Sequence, residues 1–358
     1  MSVASSQHGR TYREAGVDLD AAERLVSRIG PLLRRTYGPR VLELAGGFAG
    51  AFRLDYDERL FARNYRSPVL VACTDGVGSK VLIAIRAKRY DTIGIDLVAM
   101  NVNDLLTCGT EPLVFLDYVA IHKLKPEVVA QIVGGVAVGC EQAGCTLLGG
   151  ETAEMPGLYR RGHFDLAGFA VGVVERGRMI QRHHVQPGDE LIGIASNGLH
   201  SNGYALARKL LLVDAGLRLH EPVRALGEPL VDALLRPTRI YVRPVLQALR
   251  RYTGRPRVTG MAHITGGGLP GNVPRLLADD CDAVIRLGSW PIPPIFALLE
   301  RYGVEEAEMY RVFNMGIGFV LAVRPGSVAP VLRALKRAGE QAFVIGRVRR
   351  GRRRVEFR

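Results

Sequence analysis

The 358-residue chain has five cysteines, one tryptophan, six lysines among 48 basic residues, and no apolar run near the roughly 20 residues that a membrane-crossing helix needs. Each scarcity excludes something. Cys73, Cys108, Cys140, Cys145 and Cys281 form no CxxC pair and have no histidine at ligand spacing, so a disulfide framework and a zinc site are excluded in favour of buried thiols. The polar start, residues 1–9, lacks the apolar centre of a signal peptide, and a cytoplasmic protein without a membrane partner is expected. The formal charge is +13, spread along the chain with concentrations at Arg34-Arg35 and in residues 347–358. In that tail Val348, Val355 and Phe357 alternate among arginines, the pattern of a solvated edge strand rather than a nucleic-acid arm. Aromatic and basic residues do not interleave, so nucleic acid is not an expected partner, whereas a basic surface favours phosphorylated small molecules.

What is present is a succession of strand, glycine loop and helix over a length that favours two domains. Residues 21–35 read as a helix with Leu25, Ile29 and Leu32 on one face and Asp18 or Asp20 as its cap. The glycine cluster of residues 46–50 reads as a loop, ordinary or closing over a ligand. The most informative stretch is Thr74-Asp-Gly-Val-Gly-Ser-Lys80, between apolar residues 68–73 and 81–85, where a strand runs into a helix. Gly76 and Gly78 allow a tight turn close to a ligand, and the helix start offers unpaired N–H groups. Asp75 can hold a cation and Lys80 an anion; the plain alternative is a turn with two solvated charges. In a chain that otherwise uses arginine, a lysine here favours a compact point charge on phosphate oxygen. The Walker spacing is not met.

Residues 92–108 read as a helix that is apolar nearly all round and therefore buried. Asp96, Asn103 and Asp104 fall within an arc of about 100° on it. Buried carboxylates require a partner charge or a metal; capping can satisfy Asp96, and Asp104 is the stronger metal candidate. Further on, a short strand at 146–148 leads into Gly149-Gly-Glu-Thr-Ala-Glu-Met-Pro-Gly157. Glu151 then stands at a strand end, where open sheets place ligands, or in a polar turn. The polar, aperiodic segment 176–188 with His183-His184 marks the boundary, giving expected domains of residues 1–176 and 177–358.

The second half repeats the strand, glycine loop and helix unit at Ser196-Asn-Gly-Leu-His-Ser-Asn-Gly-Tyr204, where Asn202 suits a helix cap and capping leaves His200 unexplained. After a strand at 258–262 comes His263-Ile-Thr-Gly-Gly-Gly268. Gly266, Gly268 and Gly271 formally match GxGxxG, but Pro270 crowds the turn, so the reading is an anion site at a helix start rather than a dinucleotide fingerprint.

In this order the stretches resemble the phosphoribosylformylglycinamidine cyclo-ligase, or AIR synthetase, family. Ala15-Gly-Val-Asp18, Gly94-Ile-Asp-Leu-Val-Ala-Met100, Phe115-Leu-Asp-Tyr118, Pro237-Thr-Arg-Ile-Tyr241 and Phe313-Asn-Met-Gly-Ile-Gly318 add to the motifs above, and the resemblance spans residues 12–346. It implies an α/β (α+β) chain with a two-domain PurM-like fold, in which an ATP-binding N-terminal sheet domain pairs across a homodimer and a C-terminal α/β domain completes the substrate site. It implies ATP-dependent closure of formylglycinamidine ribonucleotide to aminoimidazole ribonucleotide, with Mg²⁺. Carried over by position, Asp75, Asp104 and Glu151 would hold the metal with Asp96 in support. Gly76, Gly78, Ser79, Lys80, Asp96, Asn103, Gly149 and Gly150 would meet ATP. His200, Asn202 and Lys80 would act at the reacting groups, His200 moving a proton. His263, Thr265, Gly266, Gly267 and Gly268 would take the substrate, its ribose phosphate above all. Ala49 and Thr110 depart from the family's usual Gly and Ala. The resemblance also leaves selenophosphate synthetase and thiamine-monophosphate kinase as relatives to separate; the former carries a Cys or selenocysteine near its early glycine loop, and none lies between Met1 and Pro68.

Overall fold

The structure, a computed structural model, describes residues 19–42, 50–53, 65–250 and 257–358, the side chains of residues 19, 20 and 250 excepted. The motif of residues 15–18, both candidate cap carboxylates and residues 46–49, Ala49 among them, lie outside the described residues.

Helix α1 spans Leu19–Arg34 and lays Leu25, Ile29 and Leu32 against the core, the face that the sequence periodicity predicts. The first sheet comprises β1 (Pro68–Gly76), β2 (Glu111–Ile121), β3 (Thr146–Glu154) and β4 (Phe164–Glu175), in the order β1-β4-β2-β3. Only β2 and β3 are parallel, because helix α4 (Pro126–Ala143) carries the chain back across the sheet. Helices α2 (Val81–Ala87) and α3 (Ile93–Leu106) follow β1; α3 is buried along nearly its whole length between the sheet's inner face and α4. The two helices approach closely because Gly94 has no side chain: a Cβ there would lie 2.2 Å from the Ile132 carbonyl oxygen. The sheet's other face stays open, with Leu70, Leu116 and Phe169 exposed on it.

The second sheet has six strands, β5 (Glu190–Ala195), β6 (Val258–His263), β7 (Cys281–Ile285), β8 (Ile317–Val323), β9 (Ala342–Arg350) and β10 (Val355–Phe357), ordered β6-β8-β5-β9-β7-β10. β6, β7 and β8 are buried at every position, which is why they read as continuous apolar runs rather than alternating ones. The arginine-rich tail ends in β10, an edge strand, as its alternation predicts. One core joins both sheets.

One helix is irregular and one expectation changes. The helix after Tyr204 is short, Tyr204–Arg208, and continues as a π-turn over Lys209–Asp214. More consequentially, β3 does not stop at residue 148 but runs through Gly149, Gly150 and Glu151. Gly150 is required there by its neighbour: a Cβ would meet the Asp117 carboxyl at 2.3 Å. Asp117, itself 7% exposed, is pushed by burial up to about 7. Since the folded value exceeds the ordinary 3.8, the stability this group contributes is complete below about pH 4 and is lost as pH rises through 7. Asp117→Asn should therefore raise the melting temperature more at pH 8 than at pH 5; thermal unfolding at both pH values checks it, and an equal shift at both would show that the carboxyl does not titrate in this range.

Candidate active site

Three polar residues on one arc of α3 leave the first half of the chain, and each finds its partner in the second. Asp96 is fully buried beside Lys80, whose side chain is also fully buried at the end of the Thr74–Lys80 motif. Lys80 Nζ lies 2.9 and 2.8 Å from the two Asp96 oxygens and donates to the carbonyls of His200 (3.0 Å) and Arg236 (2.7 Å). Asp96 Oδ1 also accepts from Ser201 Oγ (3.0 Å), the Thr238 amide (2.8 Å) and Thr238 Oγ1 (2.6 Å). Burial pulls the ammonium pKa downward, and the Asp96 charge opposes that. Asn103 donates to the Arg239 carbonyl (2.8 Å) and accepts from the Tyr241 amide (2.9 Å).

These contacts correct three expectations. Lys80 faces inward with its donors occupied, so it is not presented to a phosphate; Asp96 is spent on Lys80 and the second half rather than on a metal; and Asn103 clamps a loop instead of meeting ATP. The arc itself is as predicted. Its partners are protein.

Asp104, the third member, keeps 44% of its side chain exposed while its Oδ1 lies 2.9 Å from His263 Nδ1. Asp75, at the end of β1, accepts from the Gly76 amide (2.7 Å). Burial raises the Asp75 carboxyl, the Gly76 bond works against it, and the like charge of Asp104 raises it further. The two carboxylates therefore share a field that a cation would relieve. Cys73 lies in the same field, and burial with both carboxylates pushes its thiol up to about 12, leaving it unreactive.

Glu151 does not join them. In register, Asp75 stands opposite Gly168, Gly168 opposite Asp117 and Asp117 opposite Gly150, so Asp75 and Gly150 share a face three strands apart, about 14 Å. Glu151, one residue further, belongs to the opposite, open face, where it is exposed. Within one chain it cannot ligate an ion held by Asp75 and Asp104. Gly149, on that same face, has no close packing neighbour.

His200 is buried with a backbone φ of +60°, and neither ring nitrogen has a partner among the described residues. Burial holds the imidazole well below its usual pKa, with the charges of His263, Lys80 and Arg239 adding to the effect, so the ring is neutral. It rests on Gly318, where a Cβ would meet His200 Cε1 at 2.5 Å and Tyr241 Oη at 2.0 Å. His263 Nε2 and Asn202 Nδ2 are likewise buried without partners among the described residues. Asn202 does not cap the following helix; its Oδ1 accepts from the Gly266 amide (2.9 Å). The Thr265–Gly268 loop is tied from within as well. Gly268 N donates to Thr265 O (3.0 Å), and Asn272 Nδ2 donates to the carbonyl of Gly268 (2.9 Å). With the amides of Gly266 and Gly268 occupied, the expected phosphate cradle at 265–268 loses two donors. By contrast Gly78, at φ +70°, has open space around it, and Ser79 beside it is half-buried.

The sequence reading missed Ser201 and Thr238 as ties and Tyr241 and Gly318 as the seat of His200. The signal was the buried carboxylate itself: a charge with no nearby base calls for hydroxyl and amide donors.

The chain matches two family models over most of its length: "AIR synthase related protein, N-terminal domain" over residues 63–174 and "AIR synthase related protein, C-terminal domain" over residues 186–357. It is 54% identical to the phosphoribosylformylglycinamidine cyclo-ligase of Myxococcus xanthus, covering 96% of this chain and 97% of that one. The chain belongs to the phosphoribosylformylglycinamidine cyclo-ligase family. Identity to the cyclo-ligase of Brevibacillus brevis is 48%, over 97% of each chain. Among solved structures, thiamine-monophosphate kinase from Stenotrophomonas maltophilia aligns with a TM-score of 0.66 at 20% identity over 93% of this chain and 95% of its own. HypE in complex with ATP aligns at 0.60 and 18% identity, over 96% and 88%. These likenesses show a shared PurM-like fold, while the near-half identities favour the cyclo-ligase family over the kinase and selenophosphate branches.

Removing one partner of the buried pair should be far costlier than any surface change. Lys80→Met, which keeps the length but leaves Asp96 uncompensated, should cost about 3–5 kcal/mol. Urea unfolding measures this, and a loss below about 1 kcal/mol, the range of a surface ion pair, would show that the pair does not carry the junction.

Proposed function

We propose that the chain closes formylglycinamidine ribonucleotide to 5-aminoimidazole ribonucleotide at the expense of ATP, releasing ADP and phosphate. The observation that carries this is a set of buried polar atoms without partners, both nitrogens of His200, His263 Nε2 and Asn202 Nδ2, beside the carboxylates of Asp75 and Asp104. Buried polar atoms without partners cost about 1–3 kcal/mol each, and a substrate rich in amide and amidine groups would satisfy them. Full-length identity near 50% to proteins named for this reaction supports the same reading.

The chemistry transfers the γ-phosphoryl group of ATP to the formyl oxygen. The ribosyl-bearing nitrogen then attacks the activated carbon, its bond to carbon forms, and the C–O bond breaks as phosphate leaves. Such a transfer needs alignment and charge neutralisation more than covalent help. Mg²⁺ would supply that neutralisation when bound. Asp75 and Asp104 fit it: one or two carboxylates are what this ion takes from protein when phosphate oxygens and water complete its octahedron. The open turn at Gly78 and Ser79 is the part of the motif left free to approach nucleotide phosphates. His200, neutral and buried, can accept the proton that the attacking nitrogen sheds, while Asn202 and His263 orient the amidine.

In this reading residues 1–176 bind ATP and residues 177–358 complete the substrate site. The chain works as a homodimer in the cytoplasm, where its five free thiols stay reduced. The open face of the first sheet, with Leu70, Leu116 and Phe169 exposed, supports pairing through that sheet.

Purified protein given formylglycinamidine ribonucleotide, ATP and Mg²⁺ should form aminoimidazole ribonucleotide, and failure of folded protein to do so overturns the reading. Asp104→Asn should lower kcat/KM by about 100-fold or more, as expected for lost metal-borne charge stabilisation, while the melting temperature moves by about 2 °C or less, since the side chain is near half exposed. Equal losses of activity and stability would make Asp104 structural.

A further inference from the structure

A cavity of about 570 Å³ opens from the Asp104–His263 pair and is walled by β1, the end of α3, the 179–182 segment and β6. Its size is that of a small-molecule site. Its lining carries the Asp104–His263 pair together with two guanidinium groups, Arg182 and Arg275. Arg182 is already paired with Asp279 at 3.1 Å. Arg275, on the 3₁₀ turn Val273–Arg275 just past the Thr265–Asn272 loop, has no hydrogen bond or ion pair to any described residue. Around the two arginines the wall is largely apolar, with Met179, Ile180, Met261 and Leu276.

We infer that Arg275 is the anchor for the 5′-phosphate of the ribotide, with Arg182 in support, and that it thereby fixes which way round the substrate lies. The inference rests on the reaction assigned above. Three observations carry it. The glycine loop at 265–268, the obvious phosphate cradle in the sequence, has spent its Gly266 and Gly268 amides internally. Lys80, the other obvious group, is sealed against Asp96. Arg275 is thus a cation on the cavity wall whose side-chain donors no described residue engages, and a planar guanidinium matches a phosphate monoester in bidentate fashion. With the dianion at Arg275, the formyl and amidine end extends toward Asp104, His263 and the unpartnered atoms of His200, where the phosphoryl transfer takes place.

Arg275→Ala, at an exposed position, leaves the fold intact, which the melting temperature verifies. It should raise KM for the ribotide about 10- to 100-fold, the usual effect of losing a hydrogen bond to a charged group. kcat should fall less, and KM for ATP should hold. The phosphate-free riboside should serve wild type and variant equally poorly, and Arg275→Lys should recover part of the loss. An unchanged ribotide KM, or a rise in KM for ATP instead, overturns the assignment, the second outcome giving Arg275 to the nucleotide. Should the wild type form no product at all, the assigned reaction fails, and calorimetry with ribose 5-phosphate still decides this point. Binding to wild type that Arg275→Ala abolishes supports the anchor, and equal binding or none to either protein overturns it.

Discussion

The position of every group in the site is registered through the buried contact between Lys80 and Asp96. Taking both charges out of water costs several kcal/mol per ion, and a pair of this kind returns the cost only when the remaining donors and acceptors are also satisfied. Here the ammonium bonds two carbonyls as well as the carboxylate, and Asp96 Oδ1 takes two hydroxyls and an amide, while Oδ2 has only the ion-pair contact with the ammonium. All of those additional partners come from the second half of the chain. α3 then acts as a ruler: Asp104 lies eight residues beyond Asp96, about 12 Å along the axis. Once Asp96 is pinned, Asn103 meets residues 239–241 and Asp104 meets His263, with no freedom left to slide.

The same contact supports the strained residue at the site. A left-handed backbone costs a non-glycine residue about 1–2 kcal/mol, and His200 adopts one. Its carbonyl is held by Lys80 and the next side chain, Ser201, by Asp96, so the unfavourable turn is bonded on both sides. Gly318 supplies the space under the ring, and Tyr241, bonded to the Ala195 carbonyl (2.9 Å), closes it. Strain, two unpartnered ring nitrogens and a depressed pKa thus fall on one residue. Nothing in the packing requires all three, which marks a site organised for a ligand rather than for stability.

How much of this was legible in the sequence depends on the range of the interaction. The buried helix α3, its polar arc, and the edge strand of the tail all follow from local periodicity, and the structure has them. The demand of Asp96 for a partner was legible too. The partner's identity was not, because Ser201 and Thr238 lie 105 and 142 residues away. Lys80 shows how a sound local argument can go astray: in an arginine-rich chain a lysine signals a need for a compact ammonium, and a buried three-way junction uses that ammonium as well as a phosphate does. Glu151 failed for a topological reason. Its place at a strand end depended on where β3 stops, and its distance from Asp75 on sheet order, and neither is written in a run of glycines. At Asn202 the cap chemistry was right in kind, an Asn oxygen accepting a backbone N–H, but the amide it serves belongs to Gly266 rather than to its own helix.

A closed glycine loop has a consequence for recognition. Loop amides bind phosphate at short range, through a concavity of N–H dipoles close to the backbone. With the Gly266 and Gly268 amides occupied, recognition of a phosphate here shifts toward side chains, and charged side chains act over longer distances. This cavity is lined by one carboxylate, Asp104, and two guanidinium groups, Arg182 and Arg275, between low-dielectric walls that focus the field. A ribotide is itself polar end to end, with a dianion opposite an uncharged formyl group. Reversed, it would set its phosphate beside Asp75 and Asp104, where like charges already raise one carboxyl against the other. In the proposed reading the wall charges oppose the reversed orientation, and the unpartnered atoms of His200, His263 and Asn202 are left to align the groups that react.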